Sequence, residues 1–107
     1  MSKTSENASL KKNVRNAVEN AENLPSGVYI YLFGSACYRQ QPGDIDILFV
    51  YDASIVPSDT AYSRFRPLSR SIEDAVGIRV HPTVLSTKEL MESRFLERVE
   101  PIELRRT

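Results

Sequence analysis

The chain has 107 residues, and a chain of this length forms one domain with a single hydrophobic core. Its 14 basic and 14 acidic side chains give a formal net charge of zero, which argues against binding to nucleic acid or to a membrane through overall charge. The single cysteine excludes an internal disulfide, the amino terminus lacks the pattern of a secretory signal, and no apolar stretch approaches the roughly 20 residues that span a bilayer. We therefore expect a cytoplasmic protein.

The first third of the chain predicts a helix and a strand. Residues 1–7 are polar, and we expect a disordered tail there. Apolar residues then recur at helical spacing from Leu10 to Leu24, which predicts an amphipathic helix that ends at a Pro-Ser-Gly sequence. The stretch VYIYLF, residues 28–33, is rich in aromatic and β-branched residues, so it predicts a buried strand.

A polar turn at residues 34–43 separates this strand from a second apolar run. The run DIDILFVYD, residues 44–52, alternates acidic and apolar residues at its start and predicts a second strand. Residues 53–66 contain a proline and many polar side chains, which is typical of a loop or an interrupted helix. Proline suits the first turn of a helix and glycine its end, so Pro67 and Gly77 predict the bounds of the next helix.

The last part of the chain predicts two strands around a helix. The stretch IRVHPTVL, residues 78–85, has strand composition, and Pro82 within it lacks a backbone N–H, which predicts an edge position or a bulge. Ser86 and Glu89 have the spacing of a capping box and predict a helix start. Residues 101–104 predict a short last strand. The order of elements therefore predicts an α/β domain of the α+β type, a small mixed sheet flanked by helices.

Two aspartates stand one residue apart where the second predicted strand begins. Successive side chains of a strand point to opposite faces, so Asp44 and Asp46 are expected to share one face. Two carboxylates on one face repel each other unless a positive group lies between them. Mg²⁺ is a suitable partner, because it binds one or two carboxylates together with substrate phosphates. We therefore expect Asp44 and Asp46 to be catalytic metal ligands, with Mg²⁺ as the cofactor.

A Gly-Ser pair ends the preceding predicted strand. Gly34 has no side chain to obstruct a ligand, and Ser35 offers a hydroxyl group and a backbone N–H. A short helix that started at Ser35 would direct free N–H groups at an anion such as a triphosphate. We therefore expect a hairpin with phosphate donors on one arm and metal ligands on the other, an arrangement suited to nucleotidyl transfer.

The stretch LFGSACYRQQPGDIDILFVYD, residues 32–52, resembles the signature of the nucleotidyltransferase superfamily typified by DNA polymerase beta, in its minimal prokaryotic branch. That signature is an apolar strand, Gly-Ser, a turn, and Asp-apolar-Asp in the next strand. The resemblance implies the polymerase beta-like fold for a single domain over residues 1–107. It also implies that Gly34 and Ser35 contact the nucleotide phosphates and that Asp44 and Asp46 hold divalent metal ions.

The sequence departs from this pattern in the turn and in the third strand. Only eight residues separate Ser35 from Asp44, which is shorter than the superfamily commonly uses. Members that catalyse transfer usually carry a further acidic residue in the third strand, and here His81 stands in that place. Histidine can act as a general base, but imidazole does not replace an anionic oxygen ligand of Mg²⁺. Three interpretations of His81 therefore stay open. It is a catalytic base, it marks weakened or lost catalysis, or it has no part in the reaction.

The resemblance implies an enzyme that transfers a nucleoside monophosphate from a nucleoside triphosphate, expected to be ATP, to a hydroxyl group. The chain is too short for a separate acceptor-binding domain, so the acceptor is expected to be a partner protein. A toxin–antitoxin system, in which a small transferase modifies a helical partner, is one arrangement that the superfamily suggests. A homodimer that builds the acceptor cleft jointly is equally compatible.

Two other functions stay open at this point. If chemistry is lost at His81, the same fold would be a nucleotide-binding or protein-interaction module. Direct nucleic-acid binding through the arginines at positions 64, 66 and 70 is disfavoured by the zero net charge, although arginine suits phosphate contacts. Cys37 lies near the Gly-Ser pair but has no base evident beside it, so we expect a small buried side chain and not a nucleophile.

Overall fold

The structure is a computed structural model and describes residues 3–39 and 41–107. Met1, Ser2 and Gln40 lie outside the described residues, and with them part of the predicted tail and one residue of the predicted turn. The elements in chain order are α1 (Lys3–Glu19), β1 (Tyr29–Phe33), a 3-10 helix (Gly34–Cys37), β2 (Ile45–Tyr51), α2 (Ala61–Val76), β3 (Val80–Ser86), α3 (Thr87–Ser93), α4 (Phe95–Val99) and β4 (Ile102–Arg106).

The four strands form one sheet in the order β3-β2-β1-β4. The hairpin β1–β2 and the pair β1–β4 are antiparallel, whereas β2 and β3 are parallel. A parallel pair needs a long crossover connection, and α2 provides it. This confirms the predicted α+β domain, a small mixed sheet flanked by helices.

The main hydrophobic core lies between α1, α2 and one face of the sheet. The two helices contribute apolar residues at helical spacing, and the strands contribute alternate residues, as a sheet with one covered face requires. Phe49 of β2 stacks on Phe65 of α2 with ring centroids 5.1 Å apart. The largest fully buried members of this core are Phe49, Phe65, Ile30, Leu32, Ile45, Ile47, Ile72, Val14, Val18 and Val28.

The opposite face of the sheet carries the alternate residues of the same strands. Leu48 and Val50 are fully buried but lie outside the main core cluster, so other parts of the chain also pack on this face. At one end, Phe33 of β1 meets Phe95 of α4 edge to face, with ring centroids 5.1 Å apart. Asp46 alternates with Ile45 and Ile47 of the main core, which places its side chain on this second face.

The first helix is shifted toward the amino terminus relative to its prediction. It begins at Lys3, so it includes residues 3–7 of the expected tail, and it ends at Glu19, well before Leu24. The guanidinium of Arg105 on β4 donates to the carbonyl oxygens of Val18 and Ala21 at 2.8 and 2.7 Å. Because these carbonyls lie at the end of α1, Arg105 satisfies groups that a helix end leaves unpaired.

The prediction that α2 starts at Pro67 is wrong. The helix starts at Ala61, and Pro67 lies inside it on an exposed surface. Ala61 and Phe65 extend the buried stripe of the helix backward, and their burial outweighs the hydrogen bond that a proline removes. Gly77 ends the helix as predicted, with φ +71° and its N–H bonded to the carbonyl of Glu73.

The carboxyl-terminal elements agree with their predictions, except that two helices, α3 and α4, follow β3 where one was predicted. β3 is an edge strand, which is where Pro82 is tolerated. Ser86 and Glu89 form the predicted capping box in both directions. β4 begins one residue later than predicted and extends to Arg106. No helix in the described part of the chain is long and apolar enough to cross a bilayer.

Candidate functional site

Three of the residues predicted for the site meet on the second face of the sheet. Asp46 near the start of β2 pairs with Phe33 at the end of β1, and Gly34 follows Phe33 directly. On its other side Asp46 pairs with His81 of the parallel strand β3. The strand register therefore brings Gly34, Asp46 and His81 side by side.

Gly34 and Asp46 are in close contact. Gly34 has φ +75°, a left-handed conformation that side chains with a Cβ rarely adopt. A Cβ atom on Gly34 would overlap the carboxylate oxygen Oδ2 of Asp46. Glycine is thus needed here for two independent reasons, the backbone conformation and the space that Asp46 fills.

His81 contacts the other oxygen of the same carboxylate. Its Nδ1 lies 3.3 Å from Oδ1 of Asp46, and the side chains of His81 and Asp46 are 73% and 26% exposed. When Nδ1 carries a proton, it donates to Asp46, and in the neutral ring Nε2 is then free to accept a proton. This geometry orients an imidazole whose outer nitrogen can take a proton from a bound molecule.

Ser35 lies in the first turn after β1. The turn is a 3-10 helix of four residues, and the carbonyl oxygen of Ser35 accepts hydrogen bonds from the N–H groups of Tyr38 and Arg39 at 3.1 and 2.7 Å. Within the described ranges the Ser35 hydroxyl has no hydrogen-bond partner. It is therefore available to a ligand that reaches Gly34.

Asp44 lies one residue before β2 and is exposed. Among residues 3–39 and 41–107 it forms no hydrogen bond or ion pair. Asp46 is held by its neighbours, whereas Asp44 is free to turn toward a ligand. Whether both carboxylates engage one ligand stays a prediction.

The donor set restricts which metal sites these residues can form. The described residues contain no group of three or more histidine, cysteine, aspartate or glutamate side chains that could hold a metal ion together. Carboxylate oxygens such as those of Asp44 and Asp46 are the ligand type that Mg²⁺ takes together with substrate phosphates and water. That these two side chains hold one Mg²⁺ ion stays a prediction.

Cys37 is half-buried beside the site, in agreement with its expected structural role. Its Sγ lies 3.5 Å from the carbonyl oxygen of Leu32, to which the thiol donates. Burial raises the pKa of the thiol, the positive charge of Lys11 opposes this with a smaller lowering effect, and the negative charge of Asp46 adds a still smaller increase. A thiol with a raised pKa is a poor nucleophile at neutral pH.

Residues 53–60 lie away from this site. They form turns that follow the end of β2, and the helix α2 starts at Ala61. Asp52 and Ile55 lie close to Gly27, which precedes β1, and this is the opposite end of the hairpin from Gly34.

One neighbour of the site was not indicated by any sequence pattern. The carboxyl end of α4, with Arg98 and Glu100, lines a cavity of about 360 Å³ next to Gly34. These residues are distant from Gly34 in sequence, and a charged residue at the end of a short helix is common on protein surfaces. Only the folded arrangement brings them to the site.

Comparison of the chain with protein-family models, with curated proteins and with solved structures yields no match. The chemistry of the site therefore has to be inferred from its own residues. The cluster of Gly34, Asp46 and His81 is the arrangement from which that inference starts.

Proposed function

We propose that the protein is a minimal nucleotidyltransferase with the polymerase beta-like fold. The observation that carries this proposal is the contact of Asp46 with both Gly34 and His81, which joins the ends of three neighbouring elements. A carboxylate beside a glycine turn and an imidazole can bind a metal-bound phosphate and accept a proton. The mixed sheet, with α1 and α2 on one face and α4 at one end of the other face, is compatible with this fold.

In this proposal Gly34 and Ser35 contact the phosphates of a nucleoside triphosphate, with ATP as the expected nucleotide. Gly34 allows the backbone to approach the phosphates, and the Ser35 hydroxyl donates a hydrogen bond. Asp44 and Asp46 would hold Mg²⁺, which neutralises phosphate charge when it is bound. The exposed Asp44 and the positioned Asp46 would supply the two carboxylates that such a shared ion needs.

The proposed reaction transfers a nucleoside monophosphate to a hydroxyl group. The hydroxyl oxygen of the acceptor forms a bond to the α-phosphorus, and the bond from that phosphorus to the bridging oxygen of the β-phosphate breaks. Pyrophosphate leaves with the electron pair of the broken bond. Nε2 of His81 accepts the proton of the hydroxyl group, while Nδ1 donates to Asp46.

A second function is favoured by the same contact of His81 with Asp46. His81 engages one oxygen of Asp46, and a third carboxylate beside the pair is absent from the described residues. The site would then bind a nucleotide or a protein without catalysis. In that case His81→Asp is expected to create or raise transferase activity, and a folded His81→Asp variant without any gain would argue against lost chemistry at this position.

The partner of the reaction is part of the same proposal. A protein acceptor or a helical partner subunit would complete the site beside the four-stranded sheet. A toxin–antitoxin pair in the cytoplasm is the arrangement we favour. A homodimer that forms the acceptor cleft is the alternative.

The experiment that tests transfer uses two labels on the same nucleotide. The protein is incubated with Mg²⁺ and a whole-cell extract that supplies acceptors, once with α-³²P-labelled and once with γ-³²P-labelled triphosphate. Nucleotidyl transfer predicts that only the α label becomes attached to a macromolecule. The variant Asp46→Asn should abolish this labelling, and Asp74→Asn, an exposed aspartate on α2, should not.

Each outcome decides between the functions. Attachment of the γ label would indicate phosphoryl transfer and contradict the proposal. Absence of both labels, combined with metal-dependent binding of the nucleotide, would support the binding module. Labelling that survives Asp46→Asn would place the activity elsewhere.

A further inference from the structure

A cavity of about 360 Å³ opens beside Gly34 on the same side as the candidate site. Its walls come from the end of β1, from the 3-10 turn and from the end of α4, including Gly34, Cys37, Tyr38, Arg98 and Glu100. The volume lies within the range of cavities that bind small molecules, about 300–1,000 Å³. Residues from three separate segments thus converge on a space large enough for a nucleoside.

The cavity and the candidate site share a wall. Gly34 lines the cavity, and the carboxylate of Asp46 lies against the same glycine. A molecule that contacts Gly34 with its phosphates can therefore extend its remaining part into the cavity.

Aromatic rings and an arginine border this space. The guanidinium of Arg98 lies over the ring of Phe95 at 6.0 Å from its centroid, and Phe95 packs edge to face on Phe33. Within the described part of the chain Arg98 forms no ion pair, so its charge is available. The side chain of Tyr38 is 73% exposed although it borders the cavity. Nucleobases stack on aromatic rings and on guanidinium planes.

The backbone around α4 fixes the far wall of the cavity. This five-residue helix is flanked by Arg94 with φ +55° and Glu100 with φ +42°, both in the left-handed region. Residues other than glycine hold this conformation only where the surrounding structure imposes it. Arg98 and Glu100, at the end of this helix, line the cavity together with Tyr38.

We propose that this cavity binds the base and ribose of a nucleoside triphosphate, with Tyr38 and Arg98 as stacking residues. The inference depends on the proposed function, because it places the phosphates at Gly34 and Ser35. It adds residues for nucleoside recognition that lie outside the Gly-Ser and Asp-apolar-Asp motifs. Base stacking contributes about 1–3 kcal/mol per base, which corresponds to about 5- to 150-fold in affinity.

The test compares ATP with inorganic tripolyphosphate, which has phosphates but no nucleoside. Binding of each is measured by calorimetry with Mg²⁺ for the native protein, Tyr38→Ala and Arg98→Ala. We expect both variants to weaken ATP binding by about 5- to 150-fold and to leave tripolyphosphate binding unchanged. Tyr62→Ala and Arg70→Ala, exposed residues of α2, are the matched controls and should change neither affinity.

Cys37 provides a second readout because it is the only cysteine and lines the cavity. ATP with Mg²⁺ should slow alkylation of Cys37 by iodoacetamide more than tripolyphosphate does. Equal affinities for ATP and tripolyphosphate, together with no effect of Tyr38→Ala or Arg98→Ala, would overturn the nucleoside site and leave the proposed phosphate site intact. Absence of binding for both compounds would overturn the proposed function, and the nucleoside site with it.

Discussion

The carboxylate of Asp46 fills the space that a Cβ atom on Gly34 would occupy. Packing against Asp46 therefore explains why position 34 is a glycine, and this explanation does not depend on any ligand. It also shows that the glycine turn and the carboxylate that we propose to bind Mg²⁺ are packed on each other. Changes at either residue should therefore affect the other, and this coupling can be measured.

Three glycines separate the effect of backbone conformation from the effect of this contact. Gly34 combines a left-handed conformation with the contact, Gly77 is left-handed with no neighbour within 4 Å, and Gly43 has neither feature. We expect alanine to cost about 2–4 kcal/mol of unfolding free energy at Gly34, about 1–2 at Gly77 and about 0.5 or less at Gly43. Urea denaturation measures all three.

A double variant supplies the control for the glycine series. In the background of Asp46→Ala, the substitution Gly34→Ala should cost about as much as Gly77→Ala does, because the overlapping carboxylate is gone. Equal costs at Gly34 and Gly77 in the native background would mean that Asp46 does not fill this space.

The contact of His81 with Asp46 predicts how a metal ion affects stability. In His81→Asp a new carboxylate lies next to Asp46, so the two repel each other and the thermal midpoint without metal should fall. Added Mg²⁺ should then raise the midpoint more in His81→Asp than in His81→Asn, which adds no charge. The same response to Mg²⁺ in both variants would contradict a metal site at Asp46.

Arg105 and Arg106 are neighbours that we expect to contribute differently to the free energy of unfolding. Arg105 is half-buried and donates to carbonyls at the end of α1, so Arg105→Met should lower the free energy of unfolding by about 1.5–3 kcal/mol. Arg106 is exposed and pairs with Glu103 at 2.9 Å, so Arg106→Met should lower it by about 1 kcal/mol or less. Denaturation of both variants checks this order, and a larger loss from Arg106→Met would refute it.

Cys37 predicts a loss of stability at alkaline pH. Burial raises the pKa of its thiol in the folded protein, whereas an unfolded thiol ionises at about pH 8.5. Its contribution is fully present below the unfolded value and is lost as the pH rises through the folded value. The unfolding free energy should therefore fall less steeply above about pH 8.5 in Cys37→Ala than in the native protein. Parallel curves for the two proteins would contradict this.

The parts of the fold that depend on local patterns were predictable from the sequence. The apolar runs around the Gly-Ser turn gave β1 and β2 to within one residue, and Pro82 indicated the edge strand correctly. The capping box of Ser86 and Glu89 marked the start of α3. In each case the residues that carry the pattern lie within a few positions of the strand or helix that they predict.

The errors have physical causes beyond local sequence. Burial of Ala61 and Phe65 carries α2 past Pro67, which local propensity takes as a start. For the site, the hairpin pattern placed Gly34 and Asp46 on neighbouring strands, and the strand composition of residues 78–85 placed His81 on β3. The cavity beside Arg98 could not be predicted, because it depends on how α4 packs on Phe33.

We propose that Gly34, Asp44 and Asp46 bind a triphosphate together with Mg²⁺. A calorimetric titration with ATP, GTP, CTP and UTP, each with Mg²⁺ and with EDTA, measures this binding. We expect binding of at least one triphosphate with Mg²⁺. EDTA should abolish this binding, Asp44→Asn combined with Asp46→Asn should abolish it in a folded protein, and Asp74→Asn should preserve it. Absence of binding to all four, or binding that neither EDTA nor the double variant changes, would contradict the proposal.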